Sequence, residues 1–337
     1  MSLLKISGSP HVHGDQSVEK IMKGVCWALM PTILVAVYCF GFGAVRVLLI
    51  ATVSAVFFEW FIQKFFLKKP STIRDFSAIL TGILLALNVP SSLPWYMIII
   101  GSFVAIAIAK MVFGGLGNNI FNPALVGRVF LLVSFPVQMT LWPKPFDSAR
   151  MWFFNGFKGL DQTIVDSITG PTPLGILQNN GASAIHRGEY ADYILGFMGG
   201  SIGEISALAI LVGGIFLLWR KIITWHIPVS FILTSFIFSG ILWLVNPVRF
   251  ADPVFHILTG GLMLGAVFMA TDMVTSPMTR KGMLLFGFGC GMMTILIRSF
   301  GAYPEGVSFA ILIMNAFVPL INKGFKPKRF GKEVQHG

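Results

Sequence analysis

The chain has 337 residues, of which 55% are apolar and only 12% charged, with a mean hydropathy of +0.78 and a formal net charge of +11. A charged fraction about half that of soluble domains excludes an ordinary water-soluble enzyme and leaves room for many spanning runs. The cations cluster at the ends of apolar segments, with no aromatic-interleaved basic face, which fits orientation in a bilayer and argues against nucleic acid as a partner.

Residues 1–20 contain Pro10, two histidines and two acids but no continuous apolar core, so no signal peptide is expected there. Apolar runs then predict ten spans, at 21–40, 43–66, 75–89, 94–113, 122–142, 203–219, 226–245, 252–270, 282–298 and 305–322. The expected fold class is an all-α polytopic membrane protein. It divides into a cytoplasmic segment (1–20), a five-helix membrane repeat (21–142), a polar insert (143–202), a second five-helix repeat (203–322) and a basic tail (323–337). Of the 25 lysines and arginines, 17 fall on the side of the N-terminus, counting Lys110 in a loop there, while the opposite short loops hold only Arg46, Arg249 and Arg298. Both termini are therefore expected in the cytoplasm and the insert on the outer face.

The first and second halves share a tetrapeptide in the third span of each, Ile79-Leu80-Thr81-Gly82 and Ile257-Leu258-Thr259-Gly260. With five spans per half the second copy enters from the other side, as an inverted repeat. Both third spans look short and broken at matching places, which points to a central site there, although small residues also simply let helices approach closely. Gly114-Gly115-Leu116-Gly117-Asn118-Asn119 is too polar for a span and reads either as a sheltered loop lining a pathway or as a tight turn. Asn122 before Pro123 is an N-cap signature. The acids Glu59, Asp75, Glu204, Asp252, Asp272 and Glu305 lie toward span ends, where interfacial solvation is the expected fate. Asp272, packed with hydroxyls in Thr271-Asp272-Met273-Val274-Thr275-Ser276, is the candidate for cation or cofactor handling. Cys26, Cys39 and Cys290 have no ligand spacing, and no catalytic constellation, metal site or phosphate loop is evident.

The insert carries Asp166-Ser167-Ile168-Thr169-Gly170-Pro171-Thr172-Pro173. Two prolines and a glycine force a turn, expected to hold the Thr172 hydroxyl out on a stiff corner as an attachment point.

Together with Phe268-Met269-Ala270-Thr271-Asp272, Val274-Thr275-Ser276-Pro277 and the stretch from Gly114 to Ala124, this motif resembles the D-subunit family of Rnf complexes, ion-translocating ferredoxin:NAD oxidoreductases of bacterial and archaeal membranes. The B subunit of the sodium-translocating NADH:quinone reductase shares the plan. The resemblance covers nearly the whole chain. It implies a urea-transporter-like fold of inverted repeats in the cytoplasmic (inner) membrane. It also implies FMN joined through its phosphate to Thr172 by a flavin transferase that reads Asp166, Thr169 and Gly170, with Pro171 departing from the family's usual alanine. A second, noncovalent flavin, riboflavin, is implied by kinship, with Thr81, Thr259, Asn122 and Asp272 as candidates for its cradle or for an ion path. The chain would then be a redox subunit that passes electrons through the membrane part of the complex and partners a second flavin subunit and iron-sulfur subunits, with Na⁺ or H⁺ as the coupling ion. It would hold no catalytic residue of its own. The rival expectation is a cofactor-free secondary transporter or channel, for which inverted repeats alone suffice.

Overall fold

The computed structural model describes residues 17–68, 71–145, 169–184, 190–196 and 198–326. Asp166, the insert between 146 and 168, and the basic tail beyond 326 lie outside the described residues.

Among the described residues the chain is helical, and the one pairing of extended backbone is an isolated antiparallel bridge between Pro143 and Thr169. The first half comprises α1 (Val18–Phe40), α2 (Phe42–Phe61, continued by a π-helical turn Ile62–Phe66), α3 (Ser77–Leu87), α4 (Trp95–Phe103, continued by Val104–Met111), α5 (Pro123–Ser134) and the short α6 (Pro136–Thr140). The insert contributes α7 (Pro173–Asn180) and α8 (Tyr190–Leu195). The second half comprises α9 (Ala207–Trp219), α10 (His226–Val245), α11 (Pro253–Leu258), α12 (Leu262–Leu264, continued by Gly265–Met269), α13 (Arg280–Phe300) and α14 (Val307–Gly324).

Among the described residues, five helices are long and apolar enough to cross a membrane: α1, α2 with its π-turn, α10, α13 and α14. α3, α4, α5 and α9 are apolar but shorter, and α11 and α12 are two fragments with a break between them. Large apolar side chains such as Leu34, Val53, Leu233, Ile237 and Leu244 point outward. That is the arrangement a helix needs where its surroundings are as apolar as its core.

Packing follows a common scheme in the two halves. α2 lies against α3 and α4, and α10 lies against α11 and α13; α1 meets α9, and α5 meets α14. The α10–α13 contact is the most extensive, because Gly287 and Gly291 present bare backbone to it. A Cβ on Gly291 would sit 2.6 Å from the Phe231 carbonyl oxygen, so only glycine permits this approach.

Both third spans are short and interrupted, as expected, but the shared tetrapeptide sits differently in each. Thr81-Gly82 runs straight through α3, which stops at Leu87, whereas the matching Thr259-Gly260 is itself the break, with Gly260 at φ 65°. Each end is stitched differently. The amides of Ile202 and Gly203 donate to the Val89 and Leu87 carbonyls at 3.2 and 2.7 Å, completing the end of α3 with backbone from the segment before α9. At the end of α11, Arg298 donates from Nη1 to the His256 carbonyl at 2.6 Å and from Nη2 to the Thr259 carbonyl at 3.0 Å. A guanidinium thus takes the place of the amides that the break removes.

Candidate functional site

The polar insert meets the membrane part at the turn from Thr169 to Pro173. Gly170 donates its amide to the Trp142 carbonyl at 3.0 Å beside the Pro143–Thr169 bridge, which fixes the strand leading into the turn. Pro171 restricts the backbone, and Thr172 becomes the N-cap of α7, its Oγ1 accepting the Gly175 amide at 3.0 Å with Pro173 at the first helical position. Leu174 is buried against Tyr193, Met198 and Phe255 and reaches the Gly260 turn, so the motif sits on the broken span of the second half. Thr172 is only 7% exposed. The expected outward-facing hydroxyl is therefore a tucked-in cap, because a threonine followed by proline and a glycine three residues on satisfies a helix start better than it satisfies solvent.

Of the four candidates within the membrane part, three come together. Thr81, Asn122 and Asp272 line one cavity of about 750 Å³, counting its open mouth, with Leu84, Lys110, Asn119 and Ala124. This proximal cavity lies beside the start of α1 at Ile21, Met22 and Val25. Asn122 caps α5 through the amides of Ala124 and Leu125 at 3.1 and 3.4 Å, and its Nδ2 donates to the Met269 carbonyl at 3.2 Å at the end of α12. Asp272 accepts the Thr275 hydroxyl at 3.0 Å. Thr259 is absent from this group: it is fully buried, its hydroxyl donates to the Phe255 carbonyl at 2.7 Å, and Arg298 holds its own carbonyl. The glycine-rich stretch forms the turns between α4 and α5, with Gly114, Gly115 and Gly117 at positive φ, and Leu116 and Asn119 join the cavity wall.

A second, distal cavity of about 460 Å³ lies at the opposite end of α5, walled by Leu132, Met139, Trp142, Tyr303 and Phe309 and floored by Arg128, Glu305 and Ser308. Trp142 links it to the Thr169–Pro173 turn, since its carbonyl receives the Gly170 amide.

Two buried charge networks escaped the sequence. Lys110, counted as a loop cation, is 1% exposed and donates from Nζ to Glu59 Oε2 at 2.5 Å and to Ser77 Oγ at 2.6 Å. Glu59 also accepts from the Thr72 hydroxyl at 3.0 Å and from Gln63 at 3.4 Å. Arg128 pairs with Glu204 at 3.3 Å and with Glu305, and its Nη1 donates to Asn88 Oδ1 and Ser308 Oγ, both at 2.9 Å. Interfacial solvation, expected for Glu59, Glu204 and Glu305, is thus replaced by ion pairing. Arg46 and Arg298 are likewise not loop charges but buried donors to backbone carbonyls. The legible signal was Arg128 within a predicted span, because a cation at that depth demands a counter-charge. Asp75 and Asp252 cap helices, accepting the amides of Ser77 and Phe255 at 2.8 and 2.9 Å.

Residues 5–331 match the model of the NQR2, RnfD, RnfE family. The chain is 47% identical over 336 residues to the D subunit of the proton-translocating ferredoxin:NAD(+) oxidoreductase complex of Clostridium ljungdahlii, covering 98% of this chain and 97% of that protein. It is 42% identical over 330 residues to the D subunit of the Na(+)-translocating ferredoxin:NAD(+) oxidoreductase complex of Acetobacterium woodii, covering 97% and 95%. With the D subunit of the ion-translocating oxidoreductase complex of Salmonella paratyphi B it shares 41% identity over 351 residues, covering 98% and 99%.

Proposed function

The chain belongs to the NQR2, RnfD, RnfE family, and from that premise we propose that it is the integral membrane redox subunit of an ion-translocating ferredoxin:NAD oxidoreductase complex, carrying FMN on Thr172. The observation that supports this most is the placement of Thr172 at the N-cap of α7, in a motif docked on the Gly260 break. A phosphoryl group esterified to Oγ1 would lie at a helix N-terminus, where the Gly175 amide already points, and its oxygens would take over the acceptor role that the free hydroxyl plays. The residues present therefore fit the phosphate end of the group. Trp142, Tyr303 and Phe309, in the distal cavity wall next to the motif, offer aromatic surface for a flat heterocycle. When bound, the flavin supplies one- and two-electron redox chemistry; the protein supplies position, burial and charge.

The packing scheme shared by the two halves supports an inverted five-plus-five arrangement of ten spans, similar to urea transporters. The proximal cavity brings Thr81, Asn122, Asp272 and Lys110 together with Ser77, Asn119 and apolar side chains, a mix of polar and apolar groups that supports it as the place of a second, noncovalent flavin such as riboflavin. The charge bias of the loops supports cytoplasmic termini and an outer FMN site, since moving Lys110, Arg46 and Arg298 into the interior leaves the asymmetry in place.

The test is fluorescence of the denatured chain. Material matured with a flavin transferase should give a fluorescent band on a denaturing gel, lost in Thr172→Ala. A dark wild-type band returns the weight to a cofactor-free transporter.

A further inference from the structure

The two cavities approach each other closely, and the same residues close the gap in two helices. On α5, Ala124 lines the proximal cavity and Arg128 floors the distal one, one helical turn or about 6 Å further along. On α3, Leu84 lines the proximal cavity, and Asn88, again four residues on, accepts the bond from Arg128. On α5 the residues lining the two cavities thus come within about one turn of each other. What fills that turn is a guanidinium, 3% exposed, held by Glu204, Glu305, Asn88 and Ser308.

We propose that Arg128 is a tethered cation that occupies the place a mobile cation would otherwise take, sealing the two cavities against passive ion leak. The chemistry of the plug argues for this role. Glu204 and Glu305 come from different parts of the chain, one from the segment before α9 and one from the start of the last span, and they converge on a single nitrogen, Nη2. Without the guanidinium, the buried Glu204 carboxylate, the partly buried Glu305 carboxylate and the oxygens of Asn88 and Ser308 would form an oxygen-lined cation site between the two cavities. With it, any Na⁺ or hydronium arriving from either side meets a fixed positive charge paired with both carboxylates. Two of the partners are themselves held in place. Asn88 Nδ2 donates to the Leu84 carbonyl at 2.6 Å, and the Glu305 carbonyl receives Arg298 Nε at 2.9 Å. A Cβ on Gly261 would come 2.6 Å from Glu204 Oε1, so the break in the second half leaves room for that carboxylate. This inference rests on the chain's place in an ion-translocating complex but not on its flavin.

The full chain, reconstituted in liposomes, is loaded with a pH-sensitive dye or equilibrated with radioactive sodium, and passive flux is measured in both directions. Wild type and Arg128→Lys should be as tight as protein-free vesicles. Arg128→Gln should leak Na⁺ or H⁺ at least tenfold faster, and the charge-neutral Arg128→Gln/Glu204→Gln/Glu305→Gln chain should be tight again, because no carboxylate remains to draw a cation in. Should Arg128→Gln not fold, Glu305→Gln carries the test, since it leaves the guanidinium in place and must stay tight. A leaking wild type, a tight folded Arg128→Gln, or a leak from Arg128→Lys or Glu305→Gln overturns the proposal. Flavin fluorescence of the same wild-type chain on a denaturing gel is read separately from the fluxes, so that a failed flavin assignment and a failed seal give different results.

Discussion

Replacing Lys110 by Met removes the ammonium and leaves Glu59, which is fully buried, without its countercharge. Breaking a buried ion pair from one side costs about 3–5 kcal/mol, because the remaining charge has lost its partner and cannot reach water. Here the cost should fall near the lower end, about 3 kcal/mol, since Glu59 keeps the Thr72 hydroxyl at 3.0 Å and the Gln63 amide at 3.4 Å. Glu59→Leu should cost a similar amount, as it strands the ammonium with only the Ser77 hydroxyl at 2.6 Å. The pair Glu59→Leu/Lys110→Met removes both charges together and should return to within about 1 kcal/mol of wild type, since well-packed apolar replacements of buried pairs are near neutral. Reversible unfolding of the full chain in mixed micelles supplies the four corners of the double-mutant cycle. Additive losses, or a Lys110→Met cost below about 1 kcal/mol, would refute the view that this pair is dry and tightly coupled.

Leu174→Ala should lower the stability of the insert's docking by about 2–3 kcal/mol, as a buried leucine is truncated beside the Gly260 turn, and it should speed proteolysis near residue 174 while leaving the bundle intact. Gly291→Ala should cost about 1–3 kcal/mol, because its methyl group would meet backbone atoms of α10 that can yield only if the helices part; an unchanged unfolding midpoint would contradict the packing described. Asn122→Ala removes the cap of α5 and the link to Met269, with an expected loss of about 1–2 kcal/mol and reduced binding of any ligand in the proximal cavity.

The helices were legible because apolar runs of this length have few alternatives, and the cap at Asn122 follows from a side-chain oxygen placed before proline. The local outcome at Thr172 was harder. Gly-Pro-Thr-Pro says that the chain turns, but whether the hydroxyl faces solvent or closes a helix depends on Leu174 finding Phe255 some eighty residues away. The shared Ile-Leu-Thr-Gly stretches show the same limit in reverse, since one sits inside α3 and the other breaks at Thr259, where the Arg298 guanidinium is placed to cap it. Single acids near span ends read as solvated when taken alone. Glu59 and Glu204 are buried and Glu305 is largely shielded because Lys110 and Arg128, 51, 76 and 177 residues away in sequence, fold against them. Pairing at such separations leaves no local trace beyond the anomaly of a charge within an apolar run.

The measurement that bears most directly on the proposed function is the intact mass of the purified, transferase-matured chain, followed by fragmentation across residues 169–184. One added FMN, less the water lost on esterification and localised to Thr172, is the expected result. An unmodified chain, or a flavin found on any other residue, would contradict it.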